Sequence, residues 1–404
     1  MKLFSNLILI ILFAAFLLFF GSMVFLTNDH DISESENRSL AQKPEIDKES
    51  IIDGTYMQKF ESYITDQFYY RDDWIKSHLL WQKVTNQTFL NDNYYIDGEW
   101  VYPKPFTEVN KDAIQMATTN IEQLKDYTNK REISLYFFSL PDRRNMLDIN
   151  YPGWVEPSIG DLDKETLLSK FPEEHIQVID VADEWQKKFG LKDYKDFYYK
   201  TDHHWNMTGA LAAYEVIRNT FDASMPIYED GPFNPEEFTK KCIKDKTFMG
   251  IYNQQLYETL EPSGEEICYA VSNQIQTGKW QTFIRGLEPE NEVSFQDIFG
   301  KANQLNQEQV TYAEVFTTDY SELHIINPYK KEKNSKVLFL KDSYANPLVP
   351  LLANHFQHTT FYDLRHNKGE SLYDYLEKGD YDAVVFLYSN GRTLDHLFDF
   401  DQTK

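Results

Sequence analysis

Between Phe197 and Val216 the chain reads FYYKTDHHWNMTGALAAYEV, and Asp202-His203-His204-Trp205 set a carboxylate beside two imidazoles. In an extended loop, residues i and i+2 point the same way, so Asp202 can approach His204 and fix its tautomer. A histidine held in this way takes a proton from a hydroxyl, which then attacks a carbonyl carbon. Ser343, in VLFLKDSYANPLVPLL, supplies such a hydroxyl two residues after an apolar strand. Pro347 fits the first turn of the helix that follows, and the positive end of that helix favours anionic intermediates. Structural uses compete: Ser343 as a helix cap, Asp202 or Asn206 as the cap of MTGALAAYEVI, and Trp205 as core. Adjacent histidines rarely direct both rings at one ion and no third ligand is evident, so neither a metal nor another cofactor is expected.

A third polar cluster follows two further apolar runs, as SLPDRRNM after Leu140 and YSNGRTLD after Leu387. Asn390 and the arginines Arg143, Arg144 and Arg392 are candidates to stabilise an oxyanion or bind a substrate anion. Asn390 is favoured, because SNG interrupts a strand at its carboxyl end. Tyr344, next to the serine, joins Arg143 and Asn390 in this candidate set.

These clusters need a scaffold, and the hydropathy rhythm supplies one. Helical KDAIQMATTNIEQLKDYTNKR precedes the apolar run ISLYFFSL at Ile133–Leu140, and VIDVADEW and a helix from Met207 to Phe221 continue the alternation. It resumes with KVLFL at Lys336–Leu340, a helix through LVPLLANHF, TTFYDL, a helix near Ser371–Glu377, and DAVVFLY at Asp382–Tyr388. Short unbroken apolar strands separated by helices predict an α/β fold, a parallel sheet flanked by helices, whose ligands collect beyond the carboxyl ends of the strands. Residues 222–334 lose this regularity and read as an irregular, β-rich insertion. Upstream, helices are expected over Ile51–Tyr63 and Asp72–Lys83, followed by a hairpin turn at Asp97-Gly98.

At the N-terminus, LILIILFAAFLLFFGSMVFL (Leu7–Leu26) is long enough to cross a bilayer core of about 30 Å. Lys2 precedes it, and Asp29, Asp31, Glu34 and Glu36 follow it, so the positive-inside preference sets the bulk of the chain outside the cytoplasm. A cleaved signal peptide is the competing reading, but no A-x-A-like site follows Leu26, so a retained anchor is favoured. The expected organisation is an anchor over 1–27, a stalk over 28–48 and one α/β domain over 49–404 carrying the insertion. A formal charge of -24, with 64 acidic against 40 basic residues, argues against nucleic-acid binding. The two cysteines, Cys242 and Cys268, are free to pair in an exported compartment.

Taken together, the DHHW tetrad, Asp342-Ser343-Tyr344, SESENRSLAQKPEI, FESYITDQFYYRDDWIK and DGEW resemble the DHHW family of exported bacterial proteins. They are also similar to the SGNH-hydrolase-like domains of alginate O-acetylation proteins of the AlgX and AlgJ type, with their D-x-H-W and D-S-[YF] motifs. By position, the resemblance implies Ser343 as nucleophile, His204 as general base and Asp202 as its orienting acid, with His203 at the variable position. Related hydrolases commonly carry glycine where this chain has Lys341. The resemblance further implies a membrane-anchored, extracytoplasmic enzyme, an O-acyl(acetyl)transferase or esterase acting on cell-surface polysaccharide. A membrane-bound O-acyltransferase is the implied acyl source. The alternative is a non-catalytic envelope scaffold or glycan-binding subunit of a polysaccharide-modification complex.

Overall fold

The computed structural model describes residues 2–36, 38–261, 264–272, 274–299, 308–316, 319–330, 334–367 and 369–401. Asn37 of the expected stalk and parts of the expected insertion therefore lie outside the described residues. Two compact units are present, one of residues 1–94 with 252–261 and the other of residues 95–251 with 262–404.

The first unit opens with helix α1 (Lys2–Leu26), whose stretch Phe4–Leu26 is long and apolar enough to cross a membrane. Three helices follow, α2 (Lys48–Asp53), α3 (Thr55–Asp66) and α4 (Arg71–Val84). The single helix expected over Ile51–Tyr63 is thus split. Gly54 stands at the break with φ 84°, a left-handed conformation that glycine adopts without a side-chain clash.

The second unit is built on an eight-stranded mixed sheet. Its strands are β1 (Ser134–Leu140), β2 (Gln177–Asp180), β3 (Gln281–Ile284), β4 (Glu292–Val293), β5 (Glu322–Ile326), β6 (Lys336–Lys341), β7 (His358–Tyr362) and β8 (Ala383–Ser389). The spatial order is β4-β3-β5-β7-β6-β8-β1-β2. The five strands β7-β6-β8-β1-β2 run parallel, as the alternating rhythm predicts. Beyond β7 the insertion adds β5, β3 and β4, each antiparallel to its neighbour, which is what makes the sheet mixed.

Period-2 alternation divides each central strand between two cores. Tyr136, Phe138, Phe339, Val385 and Leu387 enter one, which also contains Ile217 and Phe221 of helix α7 (Met207–Ser224) and Trp185 of α6 (Val181–Phe189). Leu135, Phe137, Leu338, Leu340 and Phe386 enter the other, together with Ile114 and Ile121 of α5 (Lys111–Asn129) and Leu372 of α8 (Leu372–Gly379). Helices thus cover both faces, and the carboxyl ends of β6, β8 and β1 open side by side.

Candidate active site

At the carboxyl end of β6 the chain passes through Asp342 into a tight 3-10 turn, Ser343–Leu348, rather than directly into an α-helix. The Asp342 carboxylate fastens this turn to the neighbouring strand. One oxygen accepts from the Tyr344 N–H at 3.0 Å, and the other accepts from the Ser389 N–H and hydroxyl, each at 2.7 Å. Burial pushes the Asp342 pKa up against these donated bonds. Ser343 is the first residue of the turn, and its backbone N–H has no hydrogen-bond partner among the described residues.

The tetrad arrives from the other side. Tyr198 and Trp205 pair across an antiparallel bridge, and the Asn206 N–H donates to the Phe197 carbonyl, so residues 198–205 close into a bent loop instead of an extended one. Trp205 is fully buried beneath it, worth roughly 4–6 kcal/mol of apolar burial. Asn206, not Asp202, caps α7, accepting from the N–H groups of Thr208 and Gly209. Asp202 is thereby free to hold His204.

His204 Nδ1 lies 2.7 Å from Asp202 Oδ1, and His204 Nε2 lies 2.8 Å from Ser343 Oγ. With the Nδ1 proton directed at Asp202, Nε2 accepts from the serine hydroxyl. The same Asp202 oxygen accepts from the His204 N–H, and the other oxygen accepts from the Ile251 N–H at 2.9 Å. Burial works to raise the Asp202 pKa, but the His204 charge and these donors outweigh it and hold the carboxyl well below the usual range. The sequence-predicted Asp202, His204 and Ser343 are therefore brought into one hydrogen-bonded array.

Neighbours fix the loop. Glu265 accepts from the Lys200 and Thr201 N–H groups, and Arg143, itself buried, donates to the carbonyls of Asp202 and Val101. Gly250 lets the backbone before Ile251 come close, since a Cβ there would stand 2.2 Å from the Thr201 carbonyl oxygen. Cys242 and Cys268 form a disulfide across the hairpin of Phe238–Cys242 and Cys268–Ser272.

Tyr312, from a short helix of the insertion, stacks face to face on the His204 ring, with centroids 3.7 Å apart and planes within 1°. Its hydroxyl donates to the Ser343 carbonyl at 3.0 Å. It therefore fixes both the plane of the imidazole and the backbone of the serine, and the ring face can stabilise an imidazolium. No sequence signal singled it out, because it lies in an irregular stretch 31 residues before Ser343.

The remaining predicted donors mostly serve the walls. Tyr344 donates to the His203 carbonyl. Asn390 accepts from the Asp142 N–H at 2.9 Å and donates one amide N–H to Ser139 Oγ at 3.1 Å. The guanidinium groups of Arg144 and Arg392 both lie over the Phe106 ring, at 4.3 and 4.8 Å. His203 is the more open of the two histidines, its side chain 38% exposed, and lies 3.8 Å from Asp202.

Lys341 turns away from the serine. Its ammonium is buried against Asp319 and Asn346, both at 2.8 Å, and Arg365 binds Asp319 and Asp363. Among the described residues, three groups of acid, histidine or cysteine side chains each bring their ligand atoms within metal-binding distance. At Asp319, Asp363 and His366, however, Lys341 and Arg365 already neutralise the carboxylates. Cys242 and Cys268 are bonded to each other, and both ring nitrogens of His204 are engaged within its own array.

Five parallel strands with helices on both faces form the frame of an SGNH-hydrolase-like fold, and the comparisons with known proteins agree at that level. Residues 97–277 match the family model "SGNH hydrolase-like domain, acetyltransferase AlgX". PatB1 of Bacillus cereus superposes with a TM-score of 0.67 at 27% identity, covering 76% of this chain and 99% of that one. PatB1 with a sulfonyl adduct gives 0.65 at 25% identity over the same shares. A DHHW family protein from Eubacterium siraeum shares the fold, with a TM-score of 0.54 at 13% identity over 77% of this chain and 95% of that one. No curated protein sequence matches the chain. The resemblance carried by the DHHW tetrad and the downstream Asp-Ser-Tyr holds at the level of domain and fold.

Proposed function

We propose that this protein is a serine-dependent O-acyltransferase of the acetyl-transferring kind, acting on a hydroxyl of cell-surface polysaccharide. The observation that carries the reading is the continuous Asp202–His204–Ser343 array, with contacts of 2.7 and 2.8 Å. As Ser343 Oγ attacks the acyl carbonyl, its proton passes to His204 Nε2, and Asp202 remains ionised to balance the imidazolium. The Ser343 N–H and the second amide N–H of Asn390 are the proposed donors to the tetrahedral oxyanion. Collapse expels the donor's leaving group, which takes the proton from His204 and leaves acyl-Ser343. A sugar hydroxyl then gives its proton to the same nitrogen as its oxygen attacks. The second collapse releases the ester, and the proton returns to Ser343.

The family model's acetyltransferase description supports the acyl group, and the sulfonyl adduct of PatB1 is in keeping with a nucleophile in the shared fold. Water in place of the sugar hydroxyl would make the same array an esterase. In this reading α1 is a retained anchor and the catalytic unit is extracytoplasmic, with the acyl group delivered through a membrane-bound O-acyltransferase. Against a scaffold without catalysis stands the placement of the hydroxyl: His204 meets a serine that opens a turn at the carboxyl edge of the sheet, not a buried phenol within a helix.

The test is acetyl release from p-nitrophenyl acetate by the full-length chain in detergent, with and without acetyl-free glycan, and mass analysis of the glycan. Ester formed on the glycan indicates transfer, whereas free acetate alone indicates hydrolysis. Ser343→Ala is expected to lose about a thousandfold or more in rate, and a variant as active as the parent would sink the proposed nucleophile.

A further inference from the structure

The first unit carries apolar side chains on its surface that the site does not use. Ile51, Ile52 and Met57 of α2 and α3, and Trp74, Trp81 and Val84 of α4, are all exposed. Single exposed apolar residues are ordinary, but a concentration of them within 34 residues marks a surface that meets something apolar.

Ring contacts with α1 indicate what that is. Phe20 stacks on Phe68 at 5.5 Å and meets Trp74 edge-on at 5.7 Å, and Phe16 meets Trp74 at 6.4 Å. Nearer the end of α1, Phe25 meets Phe60 at 6.4 Å. At 1.5 Å per residue, Phe20 lies about 9 Å and Phe16 about 15 Å before Leu26. The apolar stretch of α1 is 23 residues, about 34 Å against a hydrocarbon core of about 30 Å. Side chains touching Phe16 and Phe20 therefore sit at the depth of the outer acyl chains if α1 crosses the bilayer.

The periodicity of α4 fits the same boundary. Trp74 and Trp81, seven residues apart, fall within about 20° of each other around the helix, whereas Asp72, Lys76 and Lys83 fall about 160–180° from Trp74. Tryptophan rings favour the water–lipid interface, where an apolar body and a polar N–H are both satisfied.

We propose that α2–α4 lie in the outer interface of the bilayer that α1 crosses, with Trp74 and Trp81 as its anchors and lipid as the occupant of the exposed face. This rests on the reading of α1 as a retained span. Apolar burial, not charge, drives the association, because a chain of formal charge -24 has no general attraction to anionic headgroups.

The experiment uses the full-length chain in phosphatidylcholine nanodiscs whose acyl chains carry bromine at shallow positions. Tryptophan emission is expected to be quenched, equally at low salt and in 1 M salt, and Trp74→Phe/Trp81→Phe is expected to lose at least half of the quenchable emission. Equal quenching in parent and variant, or none in either, overturns the inference. Alkaline carbonate extraction of native membranes separates the two failures. Release of the parent overturns the anchor reading together with this inference, whereas retention with unquenched Trp74 and Trp81 overturns this inference alone and assigns the face to a protein partner.

Discussion

Among the carboxylate–imidazole–hydroxyl arrays of the described residues, two in the second unit share nearly the same bonding and differ in what they can do. In the first, Asp202 holds His204 against Ser343. In the second, Asp230 holds His355 Nδ1 at 2.6 Å, and His355 Nε2 receives the Tyr214 hydroxyl. Pairwise geometry barely separates them; the hydroxyl and its surroundings do. Ser343 opens a turn at the carboxyl edge of the sheet, and its backbone N–H has no hydrogen-bond partner among the described residues. Tyr214 is buried within α7, its phenol also reaches the Leu351 carbonyl, and burial pushes its pKa well up. Lys330 further neutralises Asp230, whose pKa is held at about 2 by His355 and Lys330 despite the opposing effect of burial. The second array thus has the bonding of a catalytic triad without an attacking group, and its role is to fasten α7 to the segment after Leu352.

The sharpest way to break this comparison is to disable the matching acids. Asp202→Asn removes the group that sets the His204 tautomer and is expected to cut kcat roughly a thousand- to ten-thousandfold. Asp230→Asn should leave kcat within about threefold while lowering unfolding free energy by roughly 1–3 kcal/mol. Steady-state kinetics and denaturant titration of both variants check the pair, and equal kinetic losses would erase the distinction.

Tyr312 offers a smaller test. Tyr312→Leu loses both stacking and the bond to Ser343 and should lower kcat by roughly ten- to fiftyfold, whereas Tyr312→Phe keeps the stack and should lose about fivefold. An unchanged KM in both would identify a positioning role.

The second array should reveal itself through pH. Burial holds the His355 pKa below its ordinary value, so the unfolded chain binds the proton more readily. Its contribution is present above about pH 6.5 and is lost as pH falls below that value. Asp230, with its pKa held at about 2, adds a second loss between about pH 4 and 2. Thermal melts at pH 7 and 5.5 should differ for the parent and differ less for His355→Gln; equal differences would remove His355 as the source. Smallest of all, His203→Ala should retain activity within about threefold, because Tyr344 uses the His203 backbone carbonyl and not its ring.

Much of this was readable in the sequence where chemistry and local periodicity coincide. Asp202 and His204 are close in the chain, and Ser343 follows a strand of unbroken apolar residues, so both halves of the array announce themselves by type and spacing. The five parallel strands were legible for the same reason. Tyr312, Glu265 and Ile251 were not, because each acts through a tertiary approach: one by a ring face, one on backbone N–H groups, one through its own N–H. The second array also escaped notice, since Tyr214 lies in α7 141 residues before His355 and their pairing exists only after folding. The insertion read as β-rich, but the joining of β3, β4 and β5 to the main sheet was not legible, because they are five residues or fewer and extend an existing edge.

Gly250 sets a manufacturing tolerance for the whole array. A proton can pass between Ser343 and His204 over a window of about 0.6 Å in heavy-atom distance. A single methyl at Gly250 would stand 2.2 Å from the Thr201 carbonyl oxygen, so the loop bearing Asp202 and the backbone before Ile251 would have to separate by more than about 1 Å to regain ordinary contact. A shift on that scale is wider than the window, so a residue with no side chain, next to the Ile251 N–H that holds Asp202, governs the fit of Asp202, His204 and Ser343.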